Sequence, residues 1–205
     1  PVYPGEVVIL QAPPKSMKTM LLQNWMCAFK VPTYFLEMEM SPRQIWSRFV
    51  MIENGWSEEE LVDHYRSFQN GQDKHFQWLQ VNYSPIAARD LEKTIMTLSV
   101  KPRVVVVDHM GLFQSNLKDP NMKVEEASQA MMELAVKHNI IVFAVSEINK
   151  SAMREGMGIS STKGSFRTAY NANKLLSLIP RRSITTGELE ALDLRCEANR
   201  ERENL

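Results

Sequence analysis

The chain has 205 residues, 44% of them hydrophobic and 23% charged, and its 24 basic residues balance 24 acidic ones. That length suits one α/β domain with a sizeable core, and the even charge neither demands nor excludes a nucleic-acid partner, so a polyanion-binding surface has to be local. No run of about 18 apolar residues exists to cross a membrane, and the two distant cysteines, Cys27 and Cys196, read as buried free thiols of a reducing compartment. A soluble, cytoplasmic protein is expected. The chain starts at Pro1 without Met, which leaves room for a longer polypeptide with a further N-terminal domain.

Glu6 to Gln11 reads as a buried strand. A tight turn from Ala12 to Thr19 follows, then an amphipathic helix from Met20 to Phe29. Pro32 to Glu37 is a second strand. Ser41-Pro42 opens a helix, with serine as cap, proline in the first turn and Gln44 in the capping-box position. Ser57 and Glu60 make a second such start. A strand over 75–82 leads to a helix over 87–99, and Val104 to Val107 is the most strand-like run, ending at Asp108. The segment from Met122 to His138 puts Ala127, Met131, Leu134 and Ala135 on one stripe, with Asn139 placed to end the helix. Ile140 to Val145 is another buried strand. Residues 149–164 lack periodicity and read as a loop; Lys174 to Leu178 and Leu189 to Glu197 read as a hairpin around Thr185-Thr186-Gly187. Alternating strands and helices predict a mostly parallel sheet covered by helices.

The first turn carries the chemistry. A phosphate-binding loop needs a strand to fix it, backbone N–H groups and a helix N-terminus facing the phosphates, a lysine for the outer phosphates and a hydroxyl for Mg²⁺. Ala12, Pro13, Pro14, Lys15, Ser16, Met17, Lys18, Thr19 and Met20 supply that order. The pattern G-x-x-x-x-G-K-[ST] asks for glycine where Ala12 and Met17 stand, and at Met17 glycine would permit positive φ and close approach of the backbone. Asp108, at the end of a central strand, sits where a nucleotide's Mg²⁺ would lie. The two features in this order predict a P-loop NTPase. Glu37 and Glu39 are both placed to activate the water that attacks a γ-phosphate, and spacing alone does not separate them. Ser146 and Glu147 end the next strand on the same side, as candidate γ-phosphate sensors. Lys150, Arg154, Lys163 and Gly164 form a basic, flexible segment suited to phosphate-backbone contacts. Arg200 and Arg202 lie just past the last strand.

This ordering resembles the RecA-like motor domain of the DnaB-type hexameric replicative helicases and their phage and plasmid relatives. Residues 11–19 are similar to the family's Walker A loop, and Val104 to Asp108 to its Walker B strand. Glu37-Met38-Glu39-Met40-Ser41 resembles S-L-E-M-S, which selects Glu39 as the catalytic glutamate. Val145 to Lys150 is similar to the sensor strand L-S-Q-L-N-R, Lys163-Gly164-Ser165 with Ala172-Asn173 to the border of the DNA-binding loop, and Glu197-Ala198-Asn199-Arg200 to the K-N-R element that supplies an arginine finger in trans. The chain departs from the pattern at Met17, at Glu147 (a glutamine in the family), at Asn173 (Asp) and at Ala198 (Lys).

The resemblance implies one RecA-like domain over residues 1–205, an ATP- and Mg²⁺-dependent helicase translocating on single-stranded DNA during replication. It implies a ring with nucleotide at subunit interfaces, a hexamer, with primase or loader as further partners, in a bacterial or phage-infected cell. Lys18, Glu39 and Arg200 are then catalytic, Thr19 and Asp108 hold the metal, Ser146 and Glu147 sense the γ-phosphate, and Lys150, Arg154, Lys163 and Gly164 contact DNA. The departures motivate an alternative: a RecA-like nucleotide-binding module with little or no turnover, serving a helicase as accessory or partner. A recombinase- or clock-type RecA relative is a third reading.

Overall fold

The computed structural model describes residues 1–68, 76–147, 170–183 and 185–200. Seven strands form one sheet in the order β3-β2-β4-β5-β1-β6-β7. These are β1 (Val7–Ala12), β2 (Thr33–Glu37), β3 (Leu79–Asn82), β4 (Val104–Asp108), β5 (Ile141–Glu147), β6 (Lys174–Arg182) and β7 (Leu189–Asn199). All neighbours run parallel except the β6/β7 hairpin. Strands buried on both faces need continuous apolar runs, and Val7 to Leu10 and Val104 to Val107 provide them.

The helices split the core into two layers. On one face, α1 (Lys18–Phe29) and α2 (Pro42–Asn54) cover Val8, Leu10, Phe35 and Val106 through Leu22, Met26, Ile45 and Phe49. On the other, α4 (Leu91–Thr97) and α5 (Pro120–His138) cover Ile9, Leu36, Val105 and Val107 through Leu91, Ile95, Met131 and Leu134. The helix α3 (Glu58–Phe68) follows α2.

The predicted helix signals act as read. Ser41 and Gln44 form a complete capping box, Ser57 and Glu60 exchange the same pair of bonds, and Asn139 takes the left-handed C-cap of α5 with φ 54°. Differences lie at the boundaries. The helix α1 begins at Lys18, not Met20, and α5 two residues earlier than Met122, where Asp119 caps and Pro120 occupies the first turn. The helix expected over 87–99 divides into a 3₁₀ turn (Ala88–Asp90) and α4. Cys27 is buried as expected, whereas Cys196 is exposed on β7, the outermost strand of the sheet among the described residues. No described helix is long and apolar enough to cross a membrane.

Candidate nucleotide site

The strand β1 delivers the chain at Ala12, and α1 starts at Lys18, so Pro13 to Met17 must turn within five residues. Two of them bend through positive φ: Lys15 at 59° and Met17 at 63°. A non-glycine residue in the left-handed region costs about 1–2 kcal/mol. Met17 therefore takes the backbone conformation that glycine would adopt freely, and its side chain is 49% exposed rather than packed in the core. Ser16 is buried and its hydroxyl donates to the Pro13 carbonyl at 2.6 Å, tying the turn together. Pro14 and Lys15 are exposed at its tip, and Met20 is half-buried in the first turn of α1. The Lys18 ammonium donates to the carbonyls of Pro13 (3.0 Å) and Ala12 (3.4 Å), lying across the loop it would share with phosphate.

Beneath the loop, the Thr19 hydroxyl donates to Asp108 Oδ2. These residues are 89 apart in sequence. They meet because β5 lies between β1 and β4, bringing the ends of all three to one edge. Asp108 is buried, and that burial, opposed by the Thr19 bond and the neighbouring His109 and Lys18, holds its carboxyl above the usual carboxylate range. The second acid is Glu37, fully buried and in register with Asp108 across β2 and β4. Burial first, then the charge of Asp108, pushes its pKa up to about 7. Glu39 is exposed two residues later, close enough for its charge to act on both Glu37 and Asp108. Tyr83, whose hydroxyl is pushed up to about 12 by burial and by Glu37, lies near that glutamate.

A hard divalent cation takes oxygen ligands and is often shared between one or two carboxylates and substrate phosphates. Thr19 Oγ1 and Asp108 fit that description. No cluster of three or more His, Cys, Asp or Glu side chains among the described residues can hold a metal alone. The donor set suits a cation that arrives with a nucleotide.

The strand β5 runs two residues further than its apolar core, so Ser146 and Glu147 lie in register with Gln11 and Ala12 at the root of the loop. They also line a cavity of about 610 Å³ with His109, Asn121 and Lys123, between the ends of β4 and β5 and the start of α5. Arg200 lies elsewhere. Its backbone N–H donates to the Asn173 carbonyl beside the start of β1, the end of the sheet opposite the loop, and its guanidinium stacks 4.8 Å from the Tyr170 ring centroid. Asn173 itself accepts the Val7 N–H at 2.9 Å. Lys150, Arg154, Lys163, Gly164 and Arg202 lie outside the described residues.

Tyr83, His109 and Tyr170 border these groups without any motif spacing to announce them. Period-two alternation in β2 does turn Glu37 to the same face as Phe35, a signal for its burial that spacing from Walker motifs does not carry.

A parallel sheet whose first strand feeds a lysine-threonine turn, with a carboxylate two strands away under the threonine, defines a RecA-like P-loop NTPase. The sequence matches the family described as DnaB-like helicase C terminal domain over residues 2–157, and the chain belongs to that family. Two solved structures share the fold. One, an ATPase domain, superposes with a TM-score of 0.76 at 14% identity, over 97% of this chain and 79% of its own. A DnaB-like replicative helicase, described with its interactions with primase, gives 0.79 at 12% identity over 97% of this chain, which spans about half (53%) of that protein. No curated protein sequence matches the chain.

Proposed function

We propose that this domain is the ATP-driven motor of a replicative DNA helicase, translocating on single-stranded DNA as a ring, a hexamer in the family's manner, with nucleotide at its subunit interfaces. The observation that carries this reading is the contact of Thr19 with Asp108 beneath a turn whose backbone bends as a phosphate loop must. Lys18 and the loop amides bind the β- and γ-phosphates; Thr19 and Asp108 hold Mg²⁺. When bound, the cation neutralises charge building on the phosphate oxygens. Glu39, exposed at the sheet edge and near Asp108, orients and deprotonates the attacking water. Ser146 and Glu147 sense the γ-phosphate and pass its loss to the segment carrying Lys150, Arg154, Lys163 and Gly164, which contacts the DNA backbone. Arg200 serves the neighbouring subunit's nucleotide, and a primase or loader docks elsewhere on the assembly.

The test is phosphate release stimulated by single-stranded DNA, measured for the wild type and for Lys18→Ala. The motor reading requires the wild type to exceed the mutant clearly. Equal rates sink it.

A second reading is favoured by one feature: Glu147 places a carboxylate beside Ala12 at the loop's root, unfavourable to an anionic nucleotide. On that reading the domain binds nucleotide with little turnover and serves a helicase as a partner. Calorimetric ATP binding without phosphate release would support it.

A further inference from the structure

We propose that Glu37 is a positioning residue for Glu39: its buried carboxylate clamps the turn from which Glu39 reaches the nucleotide. This rests on the ATPase reading above and extends it to a residue that the family motif fills with serine.

The geometry is a complete accounting of the turn's backbone donors. Glu37 is the last residue of β2 and is 0% exposed. Its Oε1 accepts the Glu39 N–H at 2.8 Å and the Met40 N–H at 2.9 Å. The Met38 N–H before them donates to the Asp108 carbonyl at 3.0 Å, and the Ser41 N–H after them donates to Gln44 Oε1 at 3.1 Å. Four successive amides are thus held by the metal-side strand, by Glu37 twice, and by the capping box of α2. Amides in a partly buried turn lose stability when their acceptor is removed, so the turn keeps this shape while the carboxylate stays. The exposed Glu39 side chain then springs from a backbone with little freedom to drift. One ångström of drift in a reacting group costs about 10²-fold in rate. A buried carboxylate is an expensive way to hold two amides, and the surplus oxygen, Oε2, is buried with no hydrogen-bond partner among the described residues. The clamp lies in register with Asp108 across β2 and β4.

Two substitutions of similar shape separate this role from others. Glu37→Gln keeps an acceptor oxygen, whereas Glu37→Met fills the space and removes it. Amide hydrogen exchange is measured on the full chain without nucleotide, followed by ATP kinetics. Glu37→Met is expected to speed exchange at Glu39 and Met40 at least tenfold, with Val105 to Val107 still protected as proof of fold. It is expected to lower kcat about 10²-fold with little change in KM. Glu37→Gln is expected to restore the protection and most of kcat, while Glu39→Gln abolishes turnover with the turn's protection intact. Unchanged exchange in Glu37→Met overturns the clamp. A Glu37→Gln enzyme as inactive as Glu39→Gln overturns it too, by making Glu37 the reacting base. Should the wild type hydrolyse no ATP, the motor reading fails, and the exchange data still decide whether Glu37 holds the turn.

Discussion

The two ends of the sheet are built for different purposes. At the carboxyl end of the parallel strands the chain brings together the loop, Lys18, Thr19, Asp108 and the two glutamates, the groups that the proposed function assigns to a nucleotide. At the amino end, the hairpin β6/β7 returns the chain to Arg200, beside Asn173 and the start of β1. The five residue steps from Val7 to Ala12 span about 16 Å of strand, so Arg200 cannot serve the loop of its own chain. One end gathers the proposed nucleotide groups by itself, and the other, on the proposed function, would serve a neighbour's nucleotide. That asymmetry is what a head-to-tail ring requires, since each interface then joins unlike surfaces.

Breaking this division has the largest expected effect. Arg200→Ala should lower single-stranded-DNA-stimulated ATPase activity at least about 10³-fold, while nucleotide affinity changes little. Lys18→Ala should remove both. Mixed in equal amounts, the two inactive variants should regain activity, because about a quarter of random head-to-tail interfaces pair an intact loop with an intact arginine. No recovery in the mixture, measured as phosphate release, would place Arg200 outside the reaction.

The next effect concerns how the hairpin is fastened. Lys174 donates to both carboxylate oxygens of Glu6 at 2.6 Å, and both residues are buried where β6 meets β1. Removing one member of a buried pair strands the other, a loss of about 3–5 kcal/mol. Lys174→Ala should show that loss in denaturant unfolding as one shifted transition. A separate early transition would mean that the hairpin folds apart from the core.

Much of the carboxyl end was legible in the sequence. Val104 to Asp108 is a strand by composition alone, and the caps at Ser41 and Asn139 are local chemistry that the structure reproduces. Features set by distant partners were less visible. The sequence ends the fifth strand at Val145, but pairing with Gln11 and Ala12 carries it to Glu147. The hairpin strands also outrun their apolar pattern, because antiparallel pairing continues through polar positions such as Arg181 opposite Ala191 and the Arg181–Asp193 ion pair. Glu37 and Glu39 could not be told apart by spacing, since what separates them is that Glu37 ends the buried strand and Glu39 lies exposed just past it. The turn at Met17 deviates from the consensus in residue type while keeping the backbone that the consensus encodes.

Glu37 supplies a pH signature of the carboxyl end. Its pKa rises from about 4.5 in an unfolded chain to about 7 in the fold. The native state therefore binds more protons than the unfolded state between those values. Its favourable term is complete below about pH 4.5 and is lost as pH rises through 7. Wild-type stability should fall across this window relative to Glu37→Gln by an amount on the order of a few kcal/mol. Parallel stability profiles from about pH 4.5 to 7.5 would show that Glu37 ionises normally, and would shift attention to Asp108 as the group held out of its usual range.

The smallest effect tests the residue that most distinguishes this loop. Met17 holds φ 63° with a β-carbon, and the structure gives it no compensating side-chain bond at the start of α1. Met17→Gly removes the left-handed penalty of about 1 kcal/mol but adds backbone freedom to the unfolded chain, and these terms oppose each other. The net change in unfolding free energy should therefore stay within about 1 kcal/mol. Nucleotide affinity should rise if the methionine obstructs approach of the backbone to phosphate, and stay constant if the exposed side chain already points clear. Because Lys18 lies on the loop carbonyls in either case, the lysine's own displacement contributes equally to both variants. A several-fold gain in affinity would make Met17 a brake on the carboxyl end; no gain would show that the backbone conformation, and not the glycine, is what this loop needs.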